Sequence, residues 1–172
     1  MENHQLVNQD SGNVEWYTPP YIIEAARETL GEIELDPFSC WQANRTVLAR
    51  EIFTKDDNGF LKSWNGKKVW CNHPFSRENN SRIADKVISE YQQGSEIVMI
   101  TFAATSENWF RPLLGFPQCF LHGRTNYIDQ KGNKVKGVTK GSVVTYLGYN
   151  LDSFYQSFSK IGAVKVVYGG CN

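Results

Sequence analysis

The hydrophobic pattern changes period repeatedly along the chain. Behind a Thr18-Pro19-Pro20 stop, Ile22, Ile23, Ala26 and Leu30 follow the spacing of one helix face, which predicts a helix over residues 21–30. Gly31 ends it, and Ile33-Glu34-Leu35 alternates as a short strand that stops at Asp36-Pro37. Residues 40–50 read as a short helix and residues 51–54 as a strand, before a polar turn through Asp56-Asp57-Asn58-Gly59. Lys68-Val69-Trp70-Cys71 is a buried strand that runs into Asn72-His73-Pro74-Phe75. Ile83, Val87, Ile88 and Tyr91 then mark an amphipathic helix over residues 80–93, closed by Gly94. Residues 96–102 are almost continuously apolar, the pattern of a strand buried on both faces. A short helix is expected over 106–114, strands over 119–122, 125–128 and 142–147, and a last helix and strand over 151–161 and 164–168. Strands alternating with helices, then a strand-rich end, predict an α/β fold around a mostly parallel sheet.

A length of 172 residues suits one domain with a real core, here residues 14–172 behind a polar leader of residues 1–13. The leader lacks the apolar run of a signal peptide, and no stretch approaches the roughly 20 apolar residues of a membrane span, so a cytoplasmic protein without membrane contact is expected. Formal net charge is zero, so contact with a polyanion must come from local basic clusters. Cys40, Cys71, Cys119 and Cys171 show no close pairing and are read as small, mostly buried side chains. His4, His73 and His122 are scattered singly, which argues against a metal site or a nucleophile–base pair.

In an open α/β sheet, ligands bind beyond the carboxyl ends of the strands. Two polar tips are expected there. At Asp36-Pro37-Phe38 a carboxylate either accepts from a ligand's ammonium or hydroxyls, or caps a turn. At Asn72-His73-Pro74-Phe75 an uncharged amide leaves a buried strand ahead of a rigid proline and a ring. Such a string is either a turn or a means of activating an exocyclic amino group. The lone pair of adenine N6 is delocalised into the ring, and an amide oxygen and a backbone carbonyl accepting its two hydrogens favour a pyramidal, nucleophilic nitrogen.

Together, Trp16-Tyr17-Thr18-Pro19-Pro20, Leu35-Asp36-Pro37-Phe38, Asp57-Asn58-Gly59-Phe60 with Trp64, and Cys71-Asn72-His73-Pro74-Phe75 resemble the phage DNA N6-adenine methyltransferase family, in order and spacing. Gly123-Arg124-Thr125-Asn126-Tyr127 and Gly141-Ser142-Val143-Val144 look like its closing strands. The resemblance implies a Rossmann-like class I methyltransferase fold with helices on both faces of the sheet, and S-adenosyl-L-methionine as methyl donor. It places the donor between Thr18-Pro19 and Asp36-Pro37-Phe38, with Asp57 reaching its adenine or ribose. It also implies that Asn72, Pro74 and the His73 carbonyl frame the target amino group, and that Phe75 stacks on an adenine flipped out of duplex DNA. One residue departs from the pattern: the family has two successive prolines, and His73 stands at the first. That exchange removes a constraint on φ and adds a titratable ring, so a looser or pH-sensitive loop is expected, unless His73 is a surface imidazole without a role.

For DNA, the densest basic stretch carries Arg124, Lys131, Lys134, Lys136 and Lys140 around glycines, as a mobile hairpin inserted near residues 128–141; the alternative is a solvated loop. Arg77 lies nearest the Asn72 tip, with Arg45, Arg50 and Arg82 as further phosphate contacts, and Asn126 or Gln130 could read a base edge. There is little room for a separate recognition domain, so a monomer or homodimer with short or lax recognition is expected. Two other readings share the motifs: the same fold acting on an RNA base or a protein glutamine, and a catalytically silent binding protein.

Overall fold

The computed structural model describes residues 16–135 and 140–167. Helix α1 (Pro20–Leu30) begins on two prolines, whose missing N–H groups cost nothing in a first turn, and stops at Gly31, whose φ of 79° suits glycine. Strand β1 (Leu35–Asp36) leads to helix α2 (Trp41–Val47), where the Cys40 Sγ accepts from the Ala43 N–H. Strands β2 (Glu51–Ile52) and β3 (Lys68–Cys71) follow, then helix α3 (Arg77–Gln92), capped by Ser76. Strand β4 (Glu96–Phe102), a 3-10 turn (Arg111–Gly115), strands β5 (Gln118–Leu121) and β6 (Ser142–Leu147), helix α4 (Leu151–Phe158) and strand β7 (Gly162–Lys165) complete the described chain.

The strands form one seven-stranded sheet in the order β2-β1-β3-β4-β6-β5-β7. The half from β2 to β4 is parallel, as expected; from β4 onward every pairing is antiparallel, so the sheet is mixed rather than mostly parallel. Alternation along the strands divides the core. Trp70, Val98, Ile100, Val144 and Tyr146 face Ile22, Ile23 and Ala26 of α1 and Phe154 and Phe158 of α4. Val69, Cys71, Ile97, Met99 and Leu147 face Ile83, Ala84 and Val87 of α3. Helices therefore cover both faces, and the chain leaves β1 toward one edge and β3 toward the other. That reversal opens a crevice beyond the tips of β1 and β3.

Two elements differ from expectation. Residues 125–128 form no strand: Gly123, at φ 70°, turns the chain, and the segment is held by the buried Tyr127, whose hydroxyl bonds Ser142 Oγ at 2.9 Å. Only Ile128 pairs, with Tyr17 and Lys134. The helix expected over 106–114 shrinks to the 3-10 turn, because Pro112 has no N–H to close an α-helical bond to the preceding turn. No helix of the described residues is long and apolar enough to cross a membrane.

Candidate active site

A cavity of about 590 Å³ fills the crevice between the tips of β1 and β3, a size ordinary for small-molecule sites. Thr18, Asp36, Pro37, Phe38, Asn72, His73 and Pro74 all line it. Pro19, Asp57 and Phe75 are not among its lining residues.

Asn72 follows the last residue of β3. Its Nδ2 donates to the Trp16 carbonyl at 2.8 Å and to Thr18 Oγ1 at 3.1 Å. A carbonyl partner can only accept, so these bonds fix which end of the amide is nitrogen. Its Oδ1 is buried and has no hydrogen-bond partner among the described residues. A buried amide oxygen left unpaired costs stability unless something else donates to it. The tip thus presents an acceptor whose direction is set from behind.

Asp36 is 2% exposed, and its Oδ1 accepts from the Phe38 N–H at 3.2 Å, so it does close the turn. It also lines the cavity, and burial pushes its carboxyl up to about 7. No described basic side chain forms an ion pair with it. Phe38 packs on Phe60 with ring centroids 4.7 Å apart and stands edge-on to Trp64, forming an aromatic wall.

Asp57 is committed elsewhere. One oxygen accepts from the Thr54 N–H and hydroxyl, both at 2.9 Å, and the other takes the Lys62 ammonium at 2.7 Å, which holds the carboxyl down at about 2. Its neighbours Asp56 and Asn58 line the cavity instead. The loop carrying them is pinned through Trp64, whose indole N–H donates to the Gly59 carbonyl and whose backbone N–H donates to the buried Glu90.

His73 is no surface imidazole: it is 1% exposed, its Nε2 lies 2.7 Å from Asn80 Oδ1, and burial lowers its pKa to about 4. The ring is neutral at physiological pH, so the expected pH-sensitive loop is not what the fold builds. Phe75 packs against Phe102, with centroids 4.6 Å apart, and edge-on against Tyr127 and His73.

Arg77, Arg124, Lys131, Lys134 and Lys140 are exposed; Lys136 lies outside the described residues. Tyr17, a wall residue of the cavity, exchanges two backbone bonds of 2.9 Å with Ile128, and Gln42 Nε2 reaches the Gln130 carbonyl at 2.6 Å. The basic turn is thereby fastened beside the cavity. Arg124 reaches Gly141, and Lys140 lies over the Phe102 ring at 5.8 Å. Arg50 is engaged with Glu32, Arg45 stands exposed on α2, and Arg82 lies over Phe60 at the cavity edge.

Sequence reasoning missed Phe60 and Glu90 as parts of the site, and named Arg82 only as a phosphate contact. Phe60 lay within a quoted motif. Glu90 carries no signal, because a charged position on an amphipathic helix reads as solvated. The described residues contain no group of three or more potential metal ligands.

A family model described as DNA N-6-adenine-methyltransferase (Dam) matches residues 7–166 of the chain. No curated protein matches it.

Proposed function

The chain belongs to the DNA N-6-adenine-methyltransferase family, and from that premise we propose how its own residues divide the work. It transfers a methyl group to the N6 amino group of adenine in DNA. We take the methyl donor to be S-adenosyl-L-methionine, seated in the crevice of a Rossmann-like class I fold. The cavity fits that molecule. It offers a buried carboxylate without a basic ion-pair partner among the described residues, an aromatic wall, and polar loop residues beside it. Asp36 would hold the ammonium, Phe38 and Phe60 would flank the flat ring, and Asp56 and Asn58, rather than Asp57, would meet the hydroxyls. When bound, the donor supplies a sulfonium methyl that is already electrophilic, so the protein has mainly to orient and to stabilise charge.

The observation that carries this division is the unpartnered Oδ1 of Asn72. With its nitrogen held by Trp16 and Thr18, the amide accepts one hydrogen of N6, and the His73 backbone carbonyl accepts the other. Both acceptors favour the pyramidal nitrogen that attacks. Pro74 fixes the backbone behind them, and the base, flipped out of the duplex, meets Phe75, which is backed by Phe102 and the buried Tyr127. Arg77, Arg124, Lys131, Lys134 and Lys140 take the phosphates.

Paired substitutions test the division. Asn72→Ala should lower kcat with donor affinity nearly unchanged, and Asp36→Asn should weaken donor binding measured by calorimetry. An Asn72→Ala protein with wild-type kcat would refute the role given to the amide.

A further inference from the structure

The loop that carries Asn72 leaves β3 and enters α3 within five residues. Pro74 restricts the residue before it, His73, but nothing in its ring restricts Asn72. The tip must be fixed by other means, and side chains at successive positions supply them. Asn72 is bonded to Trp16 and Thr18, ahead of α1 on one face of the sheet. His73 points the other way and bonds Asn80, on the second turn of α3, at 2.7 Å. Its ring also stands edge-on to Phe75 at 5.2 Å, and the Pro74 carbonyl accepts from the Ser76 N–H and from Asn79 Nδ2.

With the oxygen of Asn80 as its partner, Nε2 carries the proton, which leaves Nδ1 a lone pair buried without a partner among the described residues. A leucine would fill the same space without that cost. What the imidazole adds is the Nε2–H bond.

We propose that His73 is a positioning residue: its imidazole, anchored on Asn80, is a strut that ties the Asn72 tip to α3, so that the amide is held from both faces of the sheet. The inference rests on the role given to Asn72 above. A proline at position 73 would fix the backbone directly; here the same restraint is made through a side chain.

The test uses the full chain and two readouts. In Asn80→Leu, which cannot accept from the imidazole, kcat for DNA methylation should fall about 10- to 100-fold, the scale of a small misplacement of a reacting group. Donor affinity should stay within about twofold, because Asn80 itself does not line the cavity. Asn80→Asp keeps an acceptor and should retain most of the turnover. His73→Pro placed in the Asn80→Leu background should restore it, since the backbone restraint replaces the strut.

Independently of turnover, amide hydrogen exchange at residues 72, 73, 75 and 76 should accelerate in Asn80→Leu and not in Asn80→Asp. Unchanged exchange in Asn80→Leu would overturn the strut, as would wild-type kcat in that variant or a failure of His73→Pro to restore it. A wild-type protein that transfers no methyl group, yet shows the predicted exchange difference, would refute the role of Asn72 and leave the strut supported.

Discussion

At Asn72 the proposed chemistry follows from what the amide is bonded to. Both donors on its nitrogen are spent on Trp16 and Thr18, so the only group it offers the cavity is an oxygen. Removing one such preorganised partner from a developing charge costs about 100- to 1,000-fold in rate. Asn72→Ala should show a kcat loss of that order in steady-state assays, with little change in donor Kd. Asp36 carries a pH dependence whose sign follows from its raised pKa, about 7 against an ordinary 3.8. Between these values the unfolded chain has released a proton that the folded chain retains. Stability therefore falls as pH rises from about 4 to about 7 and levels off above, by up to about 4 kcal/mol. Asp36→Asn should melt higher than wild type at pH 8, and the difference should vanish toward pH 4. Donor affinity should run the opposite way in wild type, falling about tenfold per pH unit below 7, as the carboxyl proposed to pair with the ammonium is protonated. Asn72 and Asp36 were legible in the sequence because each stands where an apolar strand meets a proline-containing turn. The state of His73 was not, because its burial depends on a partner on the following helix.

At the scale of elements, the loop from Thr54 to Trp64 shapes one side of the cavity and owes its form to two contacts. Gly59 lies against the Pro37 carbonyl, and a Cβ there would overlap that oxygen and crowd Phe38. Gly59→Ala should push the loop off the β1 tip, weakening donor binding about tenfold or more, as read by calorimetry. Glu90, 3% exposed on α3, accepts from the Trp64 N–H at 2.8 Å and pairs with Lys86 at 2.6 Å. Replacing it by leucine removes the acceptor of the Trp64 N–H and the carboxylate partner of the half-buried Lys86, and should lower unfolding free energy by about 3 kcal/mol in a denaturant titration. The strands β3, β4 and β6 were legible almost to the residue because long apolar runs leave little choice of period. The segment at 125–128 was not: its apolar residues are anchored through Tyr127 and Ser142 rather than through a ladder, and periodicity cannot distinguish the two.

For the molecule as a whole, the parallel half of the sheet creates the crevice and its aromatic wall, and the basic turn beside it precedes β6 of the antiparallel half. The turn carries positive charge on a chain of zero net charge, so DNA affinity should depend on those few side chains. Replacing Lys131 and Lys134 by alanine should weaken DNA binding and flatten its salt dependence by about two counterions, measured by fluorescence anisotropy over a salt series. The switch point was legible only in part, because local pattern shows that strands alternate with helices but not the order in which they pair.

The most direct measurement incubates purified protein, beside Asn72→Ala, with unmethylated DNA and methyl-labelled S-adenosyl-L-methionine, then digests the DNA and identifies the labelled nucleoside by mass spectrometry. Label recovered as N6-methyladenosine from wild type, and nearly absent from Asn72→Ala, is the expected result. Label in another nucleoside, or equal label from both proteins, would contradict it.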